Sequence, residues 1–376
     1  MKTQLAQLRD AIKTLLRAVG NGNCKLSIGP AVKENKVVLK VCNPQTGAYA
    51  KTSLDGTNLK DIKPFILKGN DVLLAIGDAD GGEVTISGEK SNMVLAFGKA
   101  KLKIGLVAEQ QDELTESVLK VEKMEPAPEC VKGKALKQAF KRVSYASAVK
   151  DVRHYLCGVF LTAEEGNLTF VATNGHMMGV FKSDVKAPTG FVEAVVPITT
   201  VDSLIHVLAD DTEYTLAASY NDRGKTSGLC IKSDKLTVVF PVIEGAYPAW
   251  RRVIPSEETL SYAKLPRGEV LSAANRITFM AKANNTPYLR WTFGQEDLLP
   301  GLRLATTNGE SFEVVNLEET PKNFEVGFTG DLLLEMLAAF TCSTIRFGFS
   351  ENEKAACVFK DPDSPAEVHV LMRAQV

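Results

Sequence analysis

Carboxylates that could perform hydrolytic chemistry are sparse in this chain of 376 residues. Asp210–Asp211 and the pair Asp361 and Asp363 are close enough in sequence to share a divalent metal, as the acids of metal-dependent nucleases do. Both groups lie in loop-like surroundings, where aspartate more often stabilises a turn. A metal-dependent DNA-processing enzyme is therefore an alternative function, and turn formation is the favoured role of these acids.

A serine-based catalytic triad is a second arrangement that the spacing argues against. Asp202 and His206 can pair on one turn of a helix, but Ser203 is displaced from that pair. The chain also lacks the G-x-S-x-G sequence that exposes a nucleophilic serine. We expect no triad.

Cysteine and histidine show no metal-binding or redox spacing. The seven cysteines, at positions 24, 42, 130, 157, 230, 342 and 357, form no C-x-x-C pair, and the four histidines show no H-x-x-x-H spacing. We expect free buried thiols in a reducing cytoplasm, with neither a metal nor a cofactor. Gly77, Gly81 and Gly82 have a hairpin-like context and lack the G-x-G-x-x-G spacing of a phosphate-binding loop.

Lysine and arginine form the most regular chemical pattern, because three segments with the period of amphipathic helices carry bases on one face. Residues 2 to 19 place Arg9, Lys13 and Arg17 four residues apart. The segment Lys132 to Val143 has five bases and no acid among them. These are Lys132, Lys134, Lys137, Lys141 and Arg142.

The third basic segment, Leu265 to Ile277, comes with Lys264, Arg267 and Arg276, and Glu269 is a counter-charge. For one helix a solvated face is the ordinary explanation, but three at a regular period favour a surface that binds phosphates without reading base sequence. No aromatic residues alternate with these bases, so contact with a duplex backbone is favoured over stacking on single strands.

The formal net charge of −1 agrees with such a surface only if the acids are segregated from it. They cluster at Glu109 to Glu116 and at Glu122 to Glu129. The chain has no run of about 18 apolar residues and begins with a polar stretch, so we expect no membrane span, no signal peptide and a cytoplasmic location.

The elements that must position these residues repeat along the chain. Phe170–His176 and Arg303–Glu310 share Thr-Asn-Gly and lie about 134 residues apart, a period suited to whole domains. Each follows one of the basic helical segments and precedes another predicted helix, at Thr199 to Leu208 and at Thr329 to Phe340. Copies of one domain indicate a ring or an array rather than a single catalytic pocket.

Apolar, β-branched runs between the helices predict strands. They include Lys36–Cys42, Glu83–Ser87, Leu102–Leu106, Leu168–Val171 and Leu236–Phe240. Charged, proline-bearing stretches at 123–128 and 251–255 indicate domain boundaries. These boundaries predict three domains, at 1–125, 126–253 and 254–376.

Three stretches of the chain resemble a known family. Lys150–Gly158, Val171–His176 and Tyr247–Pro255 closely resemble the bacterial DNA polymerase III beta subunit, or sliding clamp, whose patterns are approximately QDVRYYLNG, ATDGHRL and FPDYRRVIP. The resemblance covers about the last two-thirds of the chain. The first domain matches mainly in layout, which suggests a distant or phage-type member.

The resemblance implies an α+β DNA clamp fold of three repeated domains, each with two helices packed on antiparallel sheets. It implies a head-to-tail homodimeric ring that encircles duplex DNA, tethers the replicative polymerase and other peptide-motif partners, and is opened by a clamp loader. A clamp of this kind performs no chemistry. Arg153, His154 and Tyr155 join the basic helices as expected DNA contacts.

The resemblance also implies an apolar pocket for short peptide motifs of partners, carried over to Leu156, Thr173, Gly175, His176, Met177, Met178, Pro248, Arg252, Val253, Val370, Leu371 and Met372. Methionine and leucine suit a groove that adapts to varied apolar anchors. Peptide preference should differ from that of the family, because Met177 replaces its usual arginine and the C-terminus departs from its MPMRL ending.

The implied ring interface joins the third domain of one protomer to the first domain of the next. Phe279 and Met280 are the expected apolar pair in the third domain, and the partner edge is expected near Leu102 and Ile104. A peptide-binding scaffold on the same fold that does not bind DNA is a further alternative, against which the basic helices argue.

Overall fold

The computed structural model describes residues 1–20, 22–60, 62–79, 81–107, 124–296, 299–318 and 323–376. They form two compact units, one of residues 1–137 and 185–243 and the other of residues 138–184 and 244–376. Within the described ranges, no helix is both long and apolar enough to cross a bilayer. The acidic stretch Glu109 to Glu116 lies outside the described residues.

Three successive sets of elements share one order: a strand, a helix, four strands, a helix and three strands. The first set is β1 Lys2–Gln4, α1 Leu5–Ala18, β2 Lys25–Ala31, β3 Lys36–Cys42, β4 Tyr49–Asp55, β5 Phe65–Lys68, α2 Gly69–Ile76, β6 Glu83–Glu89, β7 Asn92–Phe97 and β8 Ala100–Gly105. A short strand, β9 Glu125–Pro126, precedes the second set.

The second and third sets repeat the same scheme. The second is β10 Val131–Lys132, α3 Gly133–Ser144, β11 Gly158–Glu164, β12 Asn167–Thr173, β13 Met177–Lys186, β14 Glu193–Pro197, α4 Ile198–Val207, β15 Glu213–Tyr220, β16 Thr226–Lys232 and β17 Leu236–Pro241. The third is β18 Ser261–Pro266, α5 Arg267–Ala283, β19 Tyr288–Glu296, β20 Leu299–Thr306, β21 Phe312–Asn316, β22 Phe324–Thr329, α6 Gly330–Ala339, β23 Thr344–Phe349, β24 Cys357–Asp361 and β25 Ser364–Leu371.

The helices and strands predicted from sequence are confirmed, with differences at the starts of the helices. Residues 2–4 form strand β1 instead of helix, and Lys2 pairs with Thr85. Lys264, expected on the third basic helix, instead lies in β18 opposite Arg346. Such strands of two to six residues are too short to interrupt the helical period visible in the sequence.

The hairpin expected around Gly77, Gly81 and Gly82 is wrong. Gly77 follows the last residue of α2, and all three glycines lie between that helix and β6. Helix α2 has only eight residues, most of them apolar, so it lacks the alternation of apolar and polar faces that marks a longer surface helix.

Helix α1 shows how the apolar period positions a basic face. Leu5, Leu8, Ile12 and Leu15 are fully buried, and the helix packs against β3, β4, α2 and α4. Each such side chain contributes roughly 1.5–3 kcal/mol when buried. The buried stripe therefore fixes the rotation of the helix and turns its bases away from the core.

Equivalent glycines let paired helices approach closely in the first and third sets. Gly69 begins α2 and Gly330 begins α6. A Cβ atom at Gly69 would lie 2.5 Å from the Leu16 side chain, and one at Gly330 would lie 2.7 Å from that of Thr278. Side-chain carbons do not approach this closely, so glycine permits each second helix to pack directly on the first.

The unit of residues 1–137 and 185–243 contains two antiparallel sheets. One has the order β1-β6-β7-β8, and the other β10-β15-β16-β17-β4-β3-β2-β5, with β9 also pairing with β15. In the larger sheet, β17 of the second set joins β4 of the first, with Val239 opposite Tyr49 and Leu236 opposite Thr52.

In the unit of residues 138–184 and 244–376, one sheet contains the path β11-β12-β13-β25-β24-β23-β18, and another has the order β21-β20-β19-β22. Strand β25 of the third set joins β13 of the second, with Leu371 opposite Met177 and Glu367 opposite Phe181. The buried Trp291 ring packs edge-on against Phe328 at 5.1 Å.

Both junctions obey one rule. The third strand after the first helix of one set, β4 or β13, pairs with the last strand of the next set, β17 or β25. The corresponding strands that take part in neither junction are β21 of the third set and β8 of the first. Among the strands that the structure describes, each has a single neighbour, β20 and β7 respectively.

A buried polar group, the Glu367 cluster of Arg142, Glu367, His369 and Tyr145, joins α3 to β25. Glu367 is 2% exposed, forms an ion pair with Arg142 and lies 2.7 Å from Nε2 of His369. Nδ1 of His369 lies 2.6 Å from the Tyr145 hydroxyl. Burial lowers the pKa of His369 to about 3 and raises that of Tyr145. The neutral imidazole therefore donates from Nε2 to Glu367 and accepts at Nδ1 from Tyr145.

Because His369 is neutral in the folded protein, stability should fall on acidification. Unfolded histidine takes up a proton below its ordinary pKa of 6.5, whereas folded His369 does so only near 3. The unfolded state binds more protons in this window, so the free energy of unfolding decreases as pH falls, by up to about 1.4 kcal/mol per pH unit.

Denaturant unfolding between about pH 7 and about pH 5 measures this slope. The substitution His369→Gln should reduce it, while His206→Gln, at an exposed position on α4, should leave it unchanged. Equal slopes in all three proteins would contradict the neutral assignment.

Candidate functional site

The basic face of α1 is partly free. Lys13 and Arg17 are exposed. Arg9 is half-buried, donates from Nη1 to the carbonyl oxygen of Ala79 at 3.3 Å and lies 3.5 Å from Asp10. Arg9 therefore holds the segment that comes after α2, and Lys13 and Arg17 are the bases available to a ligand.

The basic face of α3 combines exposed and anchored residues. Three lysines on α3 and the preceding strand are exposed: Lys132, Lys134 and Lys141. Lys137 forms an ion pair with Asp210, and Arg142 forms one with buried Glu367. The two anchored bases fix the helix, and the exposed lysines form the surface that can meet phosphates.

The loop after α3 holds its arginine in a defined position. Asp151 accepts hydrogen bonds from Nε and Nη2 of Arg153 at 3.0 and 2.8 Å, and from its backbone N–H at 2.8 Å. These bonds lower the pKa of Asp151 to about 2. His154 is exposed and Tyr155 half-buried, so His154 and the free edge of the Arg153 guanidinium face solvent.

The third helix differs from the other two, because its arginines are engaged within the protein. Nε of Arg267 donates to the carbonyl oxygen of Leu337 at 3.0 Å, and Nε of Arg276 donates to Glu313 at 2.8 Å. Lys264 is exposed but belongs to a strand. Sequence reasoning could not find Glu313 as a partner, since it lies on β21, far along the chain from Arg276.

A tight turn at Asn174-Gly175 presents one edge of the expected peptide pocket. Oδ1 of Asn174 accepts from the backbone N–H groups of His176 and Met177 at 2.9 and 3.0 Å. Thr173 donates its hydroxyl to the carbonyl oxygen of Met177 at 2.7 Å. Gly175 has a φ of +90°, which favours glycine. Gly175 and His176 are exposed and Thr173 is half-buried.

Most of the apolar residues expected to line the pocket are buried. Five of them are at most 3% exposed: Leu156, Met177, Met178, Val370 and Leu371. The pairing of β13 with β25 packs these side chains into the sheet, and Ser147 donates to the carbonyl oxygen of Leu156 at 3.1 Å. None of these five is among the residues that line the groove at Val253 and Met372.

A groove of about 400 Å³ lies beside Val253 and Met372. Three predicted residues line it, namely Arg252, Val253 and Met372, and Met372 donates its backbone N–H to the carbonyl oxygen of His176 at 2.8 Å. The short helical turn Trp250–Val253 exposes Arg252 and Val253 while burying Trp250. Pro248 is exposed just before this turn.

The rest of the groove comes from residues that sequence reasoning missed. They are Pro255, Thr259, Ser350, Asn352, Lys354, Ala355 and Ala356. Most lie in the loop between β23 and β24, whose only sequence signal is the polar run Ser350–Lys354. The described lining contains two cations, Arg252 and Lys354, and no carboxylate, so an apolar ligand that carries an acid fits it best.

The expected interface residues differ in exposure. Phe279 and Met280 on α5 are 72% and 40% exposed. On β8, Leu102 is half-buried, and Ile104 is 7% exposed, so its side chain belongs to the core of its own unit. Leu74 on α2, which sequence reasoning missed, is 80% exposed.

The two acidic groups have structural partners. Oδ1 of Asp361 accepts the backbone N–H of Asp363 at 2.9 Å, as in a turn. Asp210 pairs with Lys137. Over the described parts of the chain, no group of three or more His, Cys, Asp or Glu side chains is arranged to hold a metal.

The serine and histidine on α4 bond to their own helix. Ser203 donates its hydroxyl to the carbonyl oxygen of Thr199 at 2.9 Å. Nδ1 of His206 lies 2.6 Å from the backbone oxygen of Asp202, not from its carboxylate. These bonds leave Ser203 and His206 unpaired with each other, as expected from their spacing.

The cysteines are free thiols, but not all are buried as expected. Cys24, Cys42, Cys230 and Cys357 are buried, whereas Cys130 is exposed and positions 157 and 342 are half-buried. Burial raises the pKa of Cys230 and of Cys357 to about 12, which keeps them as unreactive thiols.

Part of the sequence is similar to a known protein family and to curated proteins. Residues 130–249 match the family described as DNA polymerase III beta subunit, central domain. The beta sliding clamp of Pseudomonas aeruginosa is 26% identical over 253 residues, which is 63% of this chain and 63% of that protein. The alignment thus covers less than two-thirds of that relative. The beta sliding clamp of Haemophilus influenzae is 22% identical over 297 residues, 78% of this chain and 76% of that protein.

Solved structures show the same fold over the whole chain. The DNA polymerase III subunit beta of Pseudomonas aeruginosa matches with a TM-score of 0.84 at 16% identity, covering 100% of both chains. The sliding clamp of Bacillus subtilis matches with a TM-score of 0.82 at 14% identity, covering 100% of this chain and 98% of that one. With its matched central domain and these relatives, this chain is similar to the bacterial beta sliding clamps, the DNA polymerase III beta subunits, and it shares their α+β fold of repeated domains.

Proposed function

We propose that this chain is a DNA sliding clamp, a non-catalytic processivity factor that encircles duplex DNA without reading its sequence and tethers the replicative polymerase. The single observation that carries this function is the repeated edge pairing of the three sets of elements. It leaves one further pair of edges, β8 and β21, at which another copy can add. A clamp loader would open the ring, and the work would be done in the cytoplasm.

The three domains that the function requires are residues 1–125, 126–253 and 254–376. Each contains one full set of the repeated elements, and the central-domain match at 130–249 falls within the second. The boundary between residues 125 and 126 falls within the short strand β9.

The ring would close through the edge rule already used twice in the chain. Pairing of β21 with β8 of the next copy repeats the pairing of β4 with β17 and of β13 with β25. Such an interface is head-to-tail, so it generates a closed ring when the rotation between copies is right. Two copies give six domains.

Opposite charges support this pairing. Lys99, Lys101 and Lys103 lie on or beside β8 and are exposed. On or beside β21, Glu310 and Glu318 are exposed and Glu313 is half-buried. Complementary edges of this kind fix orientation and register more than they add affinity.

Phosphate binding would fall to the exposed bases of α1 and α3. Lys13, Arg17, Lys134 and Lys141 are exposed on helices whose apolar sides are buried, and Lys132 is exposed on the strand before α3. A surface of this kind binds the backbone of any duplex and lets it slide. The arginines of α5 would contribute less, because their guanidinium groups already have partners.

Partner binding would use the groove beside Val253 and Met372. These side chains are 45% and 37% exposed, which is unusual for large apolar residues beside a cavity and typical of a docking site. Arg252 and Lys354 select a peptide in which an acid accompanies the apolar anchors.

The first prediction concerns the ring. Light scattering at several protein concentrations should give a dimer of about 82 kDa, twice the monomer mass of 40.8 kDa. The double substitution Phe279→Ala and Met280→Ala should yield monomers, because roughly 1.5–3 kcal/mol of burial per large apolar side chain is lost at each interface. Val149→Ala with Val152→Ala, which truncates two side chains that are 80% and 92% exposed, is the matched control. An unchanged dimer in the first variant would exclude this interface.

The second prediction concerns DNA. Substitution of Lys132, Lys134 and Lys141 by Glu should abolish stimulation of processive synthesis and lower the salt dependence of duplex binding by a slope of about 2–3, since each phosphate contact contributes about 0.9. Lys137 and Arg142 are left unchanged because their ion pairs anchor the helix.

The control for the DNA experiment carries the same change of charge elsewhere. Arg223, Lys225 and Lys235 are exposed in the unit of residues 1–137 and 185–243, and their replacement by Glu should leave both measurements near those of the unmodified protein. If the variant with Lys132, Lys134 and Lys141 replaced by Glu still stimulates processive synthesis fully, these lysines do not form the DNA-binding surface.

The third prediction concerns the groove. The probe is a fluorescent pentapeptide with two leucines, one aspartate and a C-terminal phenylalanine. Val253→Asp should weaken its binding by about tenfold or more, because an apolar contact of roughly 1.5 kcal/mol or more is lost. Val192→Asp, at a site 65% exposed in the other unit, should have no effect. Fluorescence anisotropy measures the affinity, and equal affinities in both variants would place the peptide elsewhere.

A further inference from the structure

The last turn of α3 contacts the strand pair β13–β25 at three levels. A Cβ atom at Gly179 of β13 would lie 3.1 Å from Cα of Val143, so the helix backbone rests almost directly on the strand. The Arg142 guanidinium lies over the Phe181 ring at 4.8 Å from its centroid. The Glu367 cluster then joins the helix to β25.

Within this cluster the polar atoms leave little freedom. Both carboxylate oxygens of Glu367 are used, one by Arg142 and the other by His369, and the second imidazole nitrogen is used by Tyr145. His369 is fully buried and packs edge-on against Phe340 at 4.4 Å. Removing Arg142 from its place would leave a buried carboxylate unpaired, which is strongly unfavourable. Helix α3 and strand β25 must therefore move together.

The fold does not require this cluster. At the junction of the first and second sets, Val239 of β17 lies opposite Tyr49, and Thr237 comes two residues before Val239. At the junction of the second and third sets, Leu371 of β25 lies opposite Met177, and His369 comes two residues before Leu371. A threonine therefore serves at the first junction where the second has a buried imidazole, so the polar cluster serves something specific to the second junction.

The chain runs from His369 directly into the peptide groove. Val370 and Leu371 are buried in β25, and the next residue, Met372, lines the groove and donates its backbone N–H to the carbonyl oxygen of His176. At the other end of the cluster, Arg142 is adjacent to Lys141 on the exposed basic face of α3. The cluster thus lies between the two surfaces to which DNA and peptide binding have been assigned.

We propose that Glu367 and His369 are positioning residues that link the basic helix α3, through β25, to Met372 of the peptide groove, so that DNA contact on α3 and peptide binding in the groove are energetically coupled. This inference rests on the proposed function. It predicts that the groove binds peptide with a different affinity when the protein is bound to DNA. By reciprocity, a bound peptide changes the affinity of the protein for DNA.

The test measures the affinity of the pentapeptide in the absence and in the presence of excess duplex DNA at low salt. The ratio of the two dissociation constants reports coupling, and we expect it to differ from one by at least about fivefold, the lower end of typical couplings. Tyr145→Phe removes one hydroxyl from the cluster, and Glu367→Gln removes its charge. Both should bring the ratio close to one.

Two controls match these substitutions. Tyr220→Phe removes a hydroxyl that donates to the carbonyl oxygen of Thr189 at 2.7 Å, in the other unit. Glu83→Gln removes the ion pair with Lys2 at 2.6 Å, also in that unit and away from α3. Both controls should keep the ratio of the unmodified protein. If Glu367→Gln does not fold, Tyr145→Phe carries the test alone.

The outcomes are distinguishable. A purely structural role for the cluster would change both dissociation constants by the same factor and leave their ratio unchanged. That result would overturn the inference. A ratio of one in the unmodified protein would overturn it as well. Failure of the unmodified protein to bind the peptide at all would instead count against the groove in the proposed function.

Discussion

The hydrogen bonds of strand edges are the constraint on which the rest of this structure depends. An edge strand presents a row of N–H and C=O groups that must find partners. Each set of elements offers two suitable edges, and the chain joins β4 to β17 and β13 to β25. These junctions turn separate small sheets into longer ones, and the long sheets carry the helices. The basic faces and the groove are consequences of where those edges meet.

Much of this architecture is visible in the sequence. The apolar period of α1 predicts both its length and its basic face, and the alternation in Lys36–Cys42 matches β3. The shared Thr-Asn-Gly turns mark the repeat because asparagine bonds its own backbone there and glycine supplies a positive φ. The short strands before the helices were not predictable, since a strand of two or three residues is formed by its partner and not by its own pattern.

The functional surfaces were predictable only in part, for a different reason. Sequence spacing identifies lysines and arginines on one helix face but not which of them are neutralised, because Asp210, Glu313 and Glu367 are distant in sequence from their partners. The family motifs locate Arg252 and Val253, yet the loop that completes the groove has no motif. Burial of Met177, which pairs with Leu371, could not be predicted from its place in the family motif, because it depends on which strand of the next set joins β13.

The lysines of β8 have a consequence for the chain before it assembles. A strand edge with one neighbour can template unwanted pairing with any extended segment, and proteins commonly protect such edges with charge. Lys101 and Lys103 lie on β8, 3.9 and 3.0 Å from Glu89. The lysines at this edge repel the same edge of another copy, so they disfavour pairing of two β8 strands. The newly made protein should therefore stay soluble until an acidic edge pairs with β8. The lysines that we propose to direct assembly would thus also restrain aggregation.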